Sequence, residues 1–428
     1  MMNIKVYRGA NQIGGCITEI STNGCKILID FGSNLPGNET GELSDEQIQM
    51  ITAGADAVFY THYHGDHVGL FDRIPRDSHG KSIVPQYIGK GARDVLICKC
   101  KALHKDENVK LAEQMLPYYA NTPIDVLGKG KIKVTPYFVS HSAFDSYMLR
   151  IECDGKVILH TGDFRRHGYI GGKLMEMLNV YIGQVDILII EGTMLGRKGE
   201  MVLKESDIEH NTVDFLRGHK YVFALCSSTD MERLASFYNA CNITGRKFIV
   251  DKYQGEVLDI FTHYSGSKSN LFNFEGRNRF NVPNRGFFST KVTSCLKQYG
   301  FLMLLRKSSI EFLRQMLSVY NEEDPWLIYS MWRGYAETGK TYSDQKIHEI
   351  RSIFYDRIKD GTKDGFHTSG HADIETLIGV CATVKPRVGI IPIHKEETSH
   401  FEDLPGLQDF DFFTDGDYYK DNIHISVR

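Results

Sequence analysis

Four potential metal ligands fall within six residues in the run Thr61-His62-Tyr63-His64-Gly65-Asp66-His67. The run follows Ala57-Val58-Phe59-Tyr60, which is apolar and aromatic and is typical of a buried strand. Because side chains two residues apart leave a strand on the same side, His62 and His64 are expected to bind one ion together. Asp66 and His67 are predicted to lie at a helix start and to turn toward a second ion. The alternative, a histidine-rich surface turn, is disfavoured because the run ends a buried strand.

The rest of the chain limits where such a site can work. Its 428 residues suffice for about two to three domains, and the first residues, which alternate like a strand, predict no signal peptide. No segment is long and apolar enough to predict a membrane span. Nine cysteines without CxxC spacing do not indicate a disulfide framework. We therefore expect a cytoplasmic protein without a membrane partner.

The pattern of predicted elements indicates two domains of α/β class. Short strands separated by glycine turns fill residues 1–195, and a regular alternation of strand and helix follows, with a capping box predicted at Ser206 and Glu209. A helix and a strand near the end are expected to return to the first domain. We therefore predict a discontinuous first domain, residues 1–195 and 366–428, with a second domain of residues 196–365 inserted into it.

Other ligand-type residues stand at the ends of predicted strands. Asp30, His141, Asp163, Glu191 and His394 each follow or close an apolar segment, and His371 lies at a predicted helix start. A lone histidine or aspartate at such a position is more often a cap than a ligand. Together they supply enough nitrogen and oxygen donors for two shells that suit zinc or manganese.

In order along the chain, Asp30, the His62–His67 run, His141 and Asp163 resemble the four motifs of the metallo-β-lactamase superfamily. Further on, Glu191, the Ser369-Gly370-His371 segment and His394 resemble motifs A, B and C of its β-CASP branch. That branch contains nucleic-acid-processing enzymes, including ribonuclease J and the endonuclease of the cleavage and polyadenylation machinery. The resemblance implies an αββα sandwich with an inserted α/β β-CASP domain.

The resemblance also implies roles for these residues. One metal ion would be bound by His62, His64, His141 and Asp163, and the other by Asp66, His67, Asp163 and His394. Asp30 and Glu191 would orient the ligand histidines. The implied cofactors are two divalent ions, zinc first and manganese second. They would activate a hydroxide for attack on a phosphodiester, with Asp66 or Asp163 accepting the proton of the water.

Substrate contacts are expected at several positions. His371 would bind a phosphate oxygen or protonate the leaving 3′-oxygen, with a helix N-terminal contact as its alternative role. Ser369 and Gly370 would bind substrate beside it. Ser228 lies where family members form a phosphate-binding loop, although serine caps of helices look the same. Basic and aromatic residues at 277–280 and 285–288 could grip RNA, or could form a solvated loop with its aromatics packed underneath.

The predicted function is hydrolysis of single-stranded RNA, by internal cuts, by 5′-to-3′ digestion, or by both. His394 at motif C points to RNA, because members acting on DNA carry Val there. The alternatives are a small-molecule hydrolase of thioesters or lactones, a DNA nuclease, and a catalytically dead scaffold subunit. Gly192 departs from motif A, which usually has a hydroxyl residue there. The chain stops at Arg428, soon after motif C, which predicts that it lacks the C-terminal dimerisation domain of ribonuclease J and leaves a homo-oligomer open.

Overall fold

The computed structural model describes residues 2–35, 41–197, 199–339 and 342–414, and the backbone of a last strand at 417–420. The strands are β1 Asn3–Arg8, β2 Ile17–Thr22, β3 Cys25–Ile29, β4 Ala57–Tyr60, β5 Gln86–Gly89, β6 Leu116–Tyr118, β7 Ile124–Leu127, β8 Lys131–Val139, β9 Ser146–Cys153, β10 Lys156–His160, β11 Ile187–Glu191, β12 Tyr221–Cys226, β13 Lys247–Val250, β14 Arg279–Asn281, β15 Phe301–Leu305, β16 Trp326–Ser330, β17 Ile358–Asp360, β18 Gly389–Ile393 and β19 Asp417–Lys420. The helices are α1 Asp45–Thr52, α2 Gly65–Val68, α3 Lys90–Ala102, α4 Asp106–Gln114, α5 Leu174–Met177, α6 Glu205–Gly218, α7 Met231–Thr244, α8 Lys252–Phe261, α9 Thr290–Tyr299, α10 Ile310–Val319, α11 Gln345–Phe354, α12 Gly361–Asp364 and α13 Ile374–Val384. In the part of the chain so described, no helix combines the length and the apolar character that crossing a bilayer requires.

The chain divides into two compact units. The first consists of Met1–Arg166, Ile170–Gly199 and Gly370–Arg428, and the second of His167–Tyr169 and Glu200–Ser369. The two main crossings between them, at 199/200 and 369/370, each lie four residues beyond the boundary proposed from the sequence.

The first unit is an αββα sandwich. One sheet has the strand order β19-β1-β2-β3-β4-β5-β6, and the other has the order β18-β11-β10-β9-β8-β7. Alternating side chains from both sheets, such as Ile27 and Phe59 from one and Leu149 and Ile187 from the other, share one apolar core. On the outer face of the second sheet, strands β10 and β11 pack with helix α13. The α/β sandwich predicted from the sequence is confirmed.

The ends of five strands of this sandwich supply the ligand-type residues. Strands β3 and β4 are parallel neighbours, and so are β10, β11 and β18. Because parallel neighbours end at the same edge of a sheet, the residues after them gather there. The sequence after β8 adds one more segment, which carries His141.

The second unit is built on a parallel sheet of order β14-β13-β15-β12-β16-β17. The pairs within it are all parallel. Helices connect the strands, as the alternating pattern of the sequence predicts. Its core contains Phe223, Met303 and Leu327, all fully or almost fully buried.

One local prediction was wrong. Helix α6 begins at Glu205, and the amide of Lys204 donates to Asp207 Oδ2 over 3.0 Å, so Ser206 and Glu209 do not form the expected capping box. Elsewhere, the chain breaks between helices α3 and α4. His104 adopts a left-handed conformation there, with φ of 54°. Histidine gives no strong signal for such a break, whereas glycine would.

Candidate metal centre

The His62–His67 run leaves strand β4 and enters helix α2, and its backbone is held against strand β3. The Phe31 amide donates to the His67 carbonyl over 2.7 Å, and the Ser33 amide donates to the Gly65 carbonyl over 3.0 Å. Between them, a Cβ on Gly32 would lie 1.8 Å from the Asp66 carbonyl oxygen. Only glycine permits this close approach, which fixes the run against the sheet edge.

The first set of ligand-type atoms comes from three histidines. His62, His64 and His141 offer nitrogens that all lie within 4.8 Å of one another. Nδ1 of His141 donates to the Gly370 carbonyl over 2.7 Å, which leaves Nε2 unprotonated and 3.2 Å from Nδ1 of His64. Burial lowers the pKa of His62 and of His141 well below the ordinary value, and lowers that of His64 to about 4. These rings are therefore neutral, as metal ligands must be.

The second set combines two carboxylates and two imidazoles. Nε2 of His394 lies 3.1 Å from Asp66 Oδ2, and Nε2 of His67 lies 3.1 Å from Asp163 Oδ2. Burial opposes ionisation, but the imidazoles of His67 and His394 bring the pKa of Asp66 below its usual range. Against burial, Asp163 raises the pKa of both His67 and His394. The carboxylates and imidazoles of this set therefore favour each other's charged forms.

One oxygen joins the two sets. Asp163 Oδ2 lies 3.1 to 3.9 Å from a ring nitrogen of each of His62, His67, His141, His371 and His394. Burial disfavours the charged carboxylate, yet the surrounding imidazoles hold the pKa of Asp163 well below its ordinary value. The oxygen therefore occupies a position from which it can serve both sets.

The donor atoms fit divalent ions. Nε2 of His62, Nε2 of His67 and Oδ1 of Asp163 are buried and have no hydrogen-bond partner among the described residues. Buried polar atoms normally have partners, so such a cluster needs an explanation. Neighbouring ligand atoms in a tetrahedral shell of radius about 2.1 Å are about 3.4 Å apart, within the range of the separations around Asp163. Nitrogen and oxygen donors of this kind suit zinc or manganese.

Residues behind the ligands fix the orientation of the rings. Asp30 accepts from the Thr61 amide over 2.7 Å, from the Thr61 hydroxyl, and from Nδ1 of His67 over 2.8 Å. The Thr61 hydroxyl in turn accepts from Nδ1 of His62 over 3.1 Å. Each contact keeps the proton on Nδ1 and presents Nε2 of the ring to the centre.

Glu191 and Thr193 fix the orientation of two further rings, those of His371 and His394. Glu191 Oε2 accepts from Nδ1 of His371 over 2.9 Å, and the Thr193 hydroxyl accepts from Nδ1 of His394 over 2.7 Å. A Cβ on Gly192 would lie 2.7 Å from Leu195 Cδ1. The Leu195 side chain would have to shift to admit the hydroxyl residue expected at that position.

Replacing Asp30 by Asn tests the orienting role. Asp30 has φ of 59°, a conformation that Asn tolerates, so the backbone should be unchanged. The amide cannot accept from Thr61 and His67 together as the carboxylate does, so we expect zinc affinity to fall about 10- to 100-fold. Competition against a chromophoric chelator measures this, with the exposed Asp45→Asn as control. Wild-type affinity in a folded Asp30→Asn variant would contradict the role.

The remaining predicted residues divide between the units. Gly370 and His371 lie in the first unit with the metal-site residues, whereas Ser228 and Ser369 belong to the second. Ser228 accepts a hydrogen bond from Gln254 Nε2 over 3.4 Å, and helix α7 is capped by Asp230 instead of a serine. Ser369 accepts from His167 Nε2 at its carbonyl over 2.7 Å.

Residues 277–280 and 285–288 were predicted either to grip RNA or to form a loop with its aromatic side chains packed underneath. Phe280, Phe287 and Phe288 pack against the core of the second unit. Arg279 forms a 2.7 Å ion pair with Asp259. The aromatic rings therefore pack beneath the segment, as the alternative interpretation had it, and contact of this segment with RNA stays a prediction.

Sequence reasoning missed Lys99 on helix α3. Burial lowers the pKa of its ammonium, and the charge of that ammonium adds to the effect of burial in lowering the pKa of His64. Its sequence context, Cys98-Lys99-Cys100-Lys101, gives no signal that distinguishes it from a surface lysine. Thr61 and Thr193 were also missed, although each adjoins a residue that was identified.

Comparisons with known proteins agree with this geometry. Residues 26–222 match the family model described as a beta-lactamase superfamily domain. Over 202 residues the chain is 27% identical to an RNase J-like protein of Methanocaldococcus jannaschii, a match that covers 45% of this chain and 43% of that protein. The match thus spans less than half of the relative's length.

The fold also matches a crystal structure of a protein of unknown function from Enterococcus faecalis V583. The TM-score is 0.68 at 17% identity, over 94% of this chain and 96% of that one. At this identity the similarity concerns the fold alone. The sandwich, the His62–His67 run at its edge and the matched domain lead to one conclusion: residues 26–222 carry a domain of the beta-lactamase superfamily, whose members are hydrolases, and the chain is similar to an RNase J-like protein.

Proposed function

We propose that this protein is a metal-dependent ribonuclease that hydrolyses single-stranded RNA. The observation that carries the proposal is the position of Asp163 Oδ2, which lies between two sets of ligand atoms, within 3.9 Å of five imidazoles. One carboxylate oxygen shared by two shells would keep two ions close together, as two-metal phosphodiester hydrolysis requires. The similarity to an RNase J-like protein and His394 at the last motif support RNA as the polymer.

The proposed cofactors are two divalent ions, zinc first and manganese second. The proposed ligands are His62, His64, His141 and Asp163 for one ion, and Asp66, His67, His394 and Asp163 for the other. When bound, the ions would supply Lewis-acid polarisation of the phosphodiester and a water acidic enough to attack it near neutral pH.

The side chains around the ions have their own tasks. Asp30, Thr61 and Thr193 keep the ligand rings oriented, so that little rearrangement is needed during reaction. Asp66 or Asp163 accepts a proton from the attacking water.

His371 and Lys99 would act on the substrate. The His371 side chain is 18% exposed, whereas the side chains of the proposed ligands His62, His67, His141 and His394 are 1% exposed or less. Glu191 accepts from Nδ1 of His371, so the imidazolium form of the ring would have its second proton on Nε2 and could donate it to a phosphate oxygen or to the leaving 3′-oxygen. The ammonium of Lys99 adds positive charge near His64, which favours an anionic substrate.

The proposal predicts cleavage of single-stranded RNA. A 5′-monophosphorylated, 3′-labelled RNA and its DNA equivalent should be incubated with zinc- or manganese-loaded protein, with and without chelator. We expect the RNA to be shortened from its 5′ end or cut internally, and the chelator to stop the reaction. His64→Ala should abolish cleavage, whereas the exposed His79→Ala should leave it unchanged.

The other outcomes identify the alternatives. Cleavage of the DNA alone would make the protein a DNA nuclease. If both polymers remain intact while the protein holds two ions, hydrolysis of a thioester or lactone becomes the leading function. A folded protein that binds neither ion would match the scaffold alternative and would contradict the proposal.

A further inference from the structure

The glycine-rich loop between β1 and β2 lies against the second ligand set. The Cys16 amide donates to the Asp66 carbonyl over 3.0 Å, and the His394 amide donates to the Gly9 carbonyl over 2.6 Å. A Cβ on Gly9 would lie 3.0 Å from the sulfur of Cys16. The backbone of the loop is therefore fixed to two of the proposed ligand residues, to Asp66 through Cys16 and to His394 through Gly9.

The sulfur of Cys16 faces the same buried space as the imidazoles. Its Sγ and one ring nitrogen each from His67 and His394 all lie within 4.8 Å of one another. The Cys16 residue is 1% exposed, and no hydrogen bond to its sulfur is formed within the described ranges. Nε2 of His67 is buried and likewise has no hydrogen-bond partner there. The Cys16 sulfur thus lies close to the imidazoles of His67 and His394 at the second set.

This placement distinguishes Cys16 from the other cysteines. All nine are free thiols, and among the described residues only Cys16 belongs to a group that could hold an ion. Thiolate is a soft ligand that favours zinc and similar ions, whereas carboxylate and water suit manganese and magnesium. The first set, with His62, His64 and His141, contains no sulfur.

We propose that Cys16 is a sulfur ligand of the second metal position and makes that position select zinc over manganese or magnesium. The proposal rests on the metal centre described under the proposed function, and it adds a ligand that the family resemblance does not imply. The two positions would then differ in chemistry, one with nitrogen and oxygen donors only and one with sulfur as well.

Cobalt substitution tests the proposal without any measurement of activity. A thiolate bound to Co²⁺ produces an intense charge-transfer absorption in the near ultraviolet, which nitrogen and oxygen ligands do not. Wild type loaded with Co²⁺ should show this band, and Cys16→Ser should lack it. The matched control is Cys153→Ser, a buried cysteine of strand β9 in the same unit, which should keep it. When zinc and manganese compete for the protein, the preference for zinc should be at least about tenfold lower in Cys16→Ser than in wild type. Tenfold is the lower end of the losses in metal affinity caused by changing residues behind the ligands.

X-ray absorption at the zinc edge gives a second readout that needs no variant. Zinc-loaded wild type should show a sulfur neighbour at about 2.3 Å, besides nitrogen and oxygen at about 2.0 to 2.2 Å. Absence of that sulfur, or a cobalt band that persists in folded Cys16→Ser, would overturn the role of Cys16 and leave the metal centre intact. Failure of wild type to bind cobalt, zinc or manganese, measured by elemental analysis, would instead overturn the metal centre, and this inference with it.

Discussion

Asp163→Asn is expected to abolish metal-dependent hydrolysis, with a loss of at least about 1,000-fold in kcat/KM. The carboxylate oxygen lies within reach of both ligand sets, so its replacement by a neutral amide weakens both ion positions at once. Metal ions contribute several kcal/mol to stabilisation of such transition states, and each ~1.4 kcal/mol is a factor of ten. Steady-state cleavage of the labelled RNA measures the rate, and elemental analysis measures the bound metal.

The control for this variant is Asp125→Asn, a half-exposed carboxylate that pairs with Lys131 on the neighbouring strand. It should retain wild-type rate and metal content. Circular dichroism and thermal unfolding establish that Asp163→Asn is folded. If the folded variant keeps two ions and more than about a tenth of the activity, the shared-ligand role of Asp163 is wrong.

The second large effect is expected in the buried ion pair of the second unit. Arg233 donates to both oxygens of Glu205 over 2.9 Å and to the Thr368 carbonyl over 3.3 Å, and neither charged side chain is more than 2% exposed. Arg233→Met leaves the Glu205 carboxylate buried without its counter-charge. We therefore expect the free energy of unfolding of this unit to fall by about 3 to 5 kcal/mol.

Urea unfolding monitored by tryptophan fluorescence measures this loss, since both tryptophans of the chain lie in the second unit. Arg217→Met provides the matched control, because Arg217 pairs with Asp214 on the exposed face of helix α6. Its cost should be within about 1 kcal/mol. The double variant Glu205→Leu, Arg233→Met should be less destabilised than Arg233→Met, because the buried charge is also removed. Equal effects of Arg233→Met and Arg217→Met would contradict the interpretation.

The sequence predicted the part of the site whose residues are close together in the chain. The His62–His67 run is identified by spacing alone, because the strand before it and the short helix after it fix four ligand types relative to one another. The sequence signal at each of His141, Asp163 and His394 is weak by itself, and these residues were assigned by their order along the chain. Metal binding by all of these residues remains a prediction, although the structure brings their donor atoms together.

The contacts that were missed join distant parts of the chain. Cys16 meets His394 across 378 residues of sequence, and Thr193 meets its partner His394 across 201. Neither residue type signals such a role by itself. The error at helix α6 is local: Asp207 accepts from the Lys204 amide, whereas the predicted box had Glu209 accept from the Ser206 amide, and both are acids that suit a first turn.

The first unit is interrupted, and this has a consequence for its synthesis. Arg166 and Gly370, on either side of the second unit, are about 200 residues apart. At about 5 to 20 residues per second, a ribosome needs about 10 to 40 seconds to cross that distance. Strand β18 and the histidines at 371 and 394 emerge only afterwards. A nascent chain therefore lacks the proposed ligand His394 until residue 394 has been translated, so the proposed two-metal hydrolysis is not expected to begin before then.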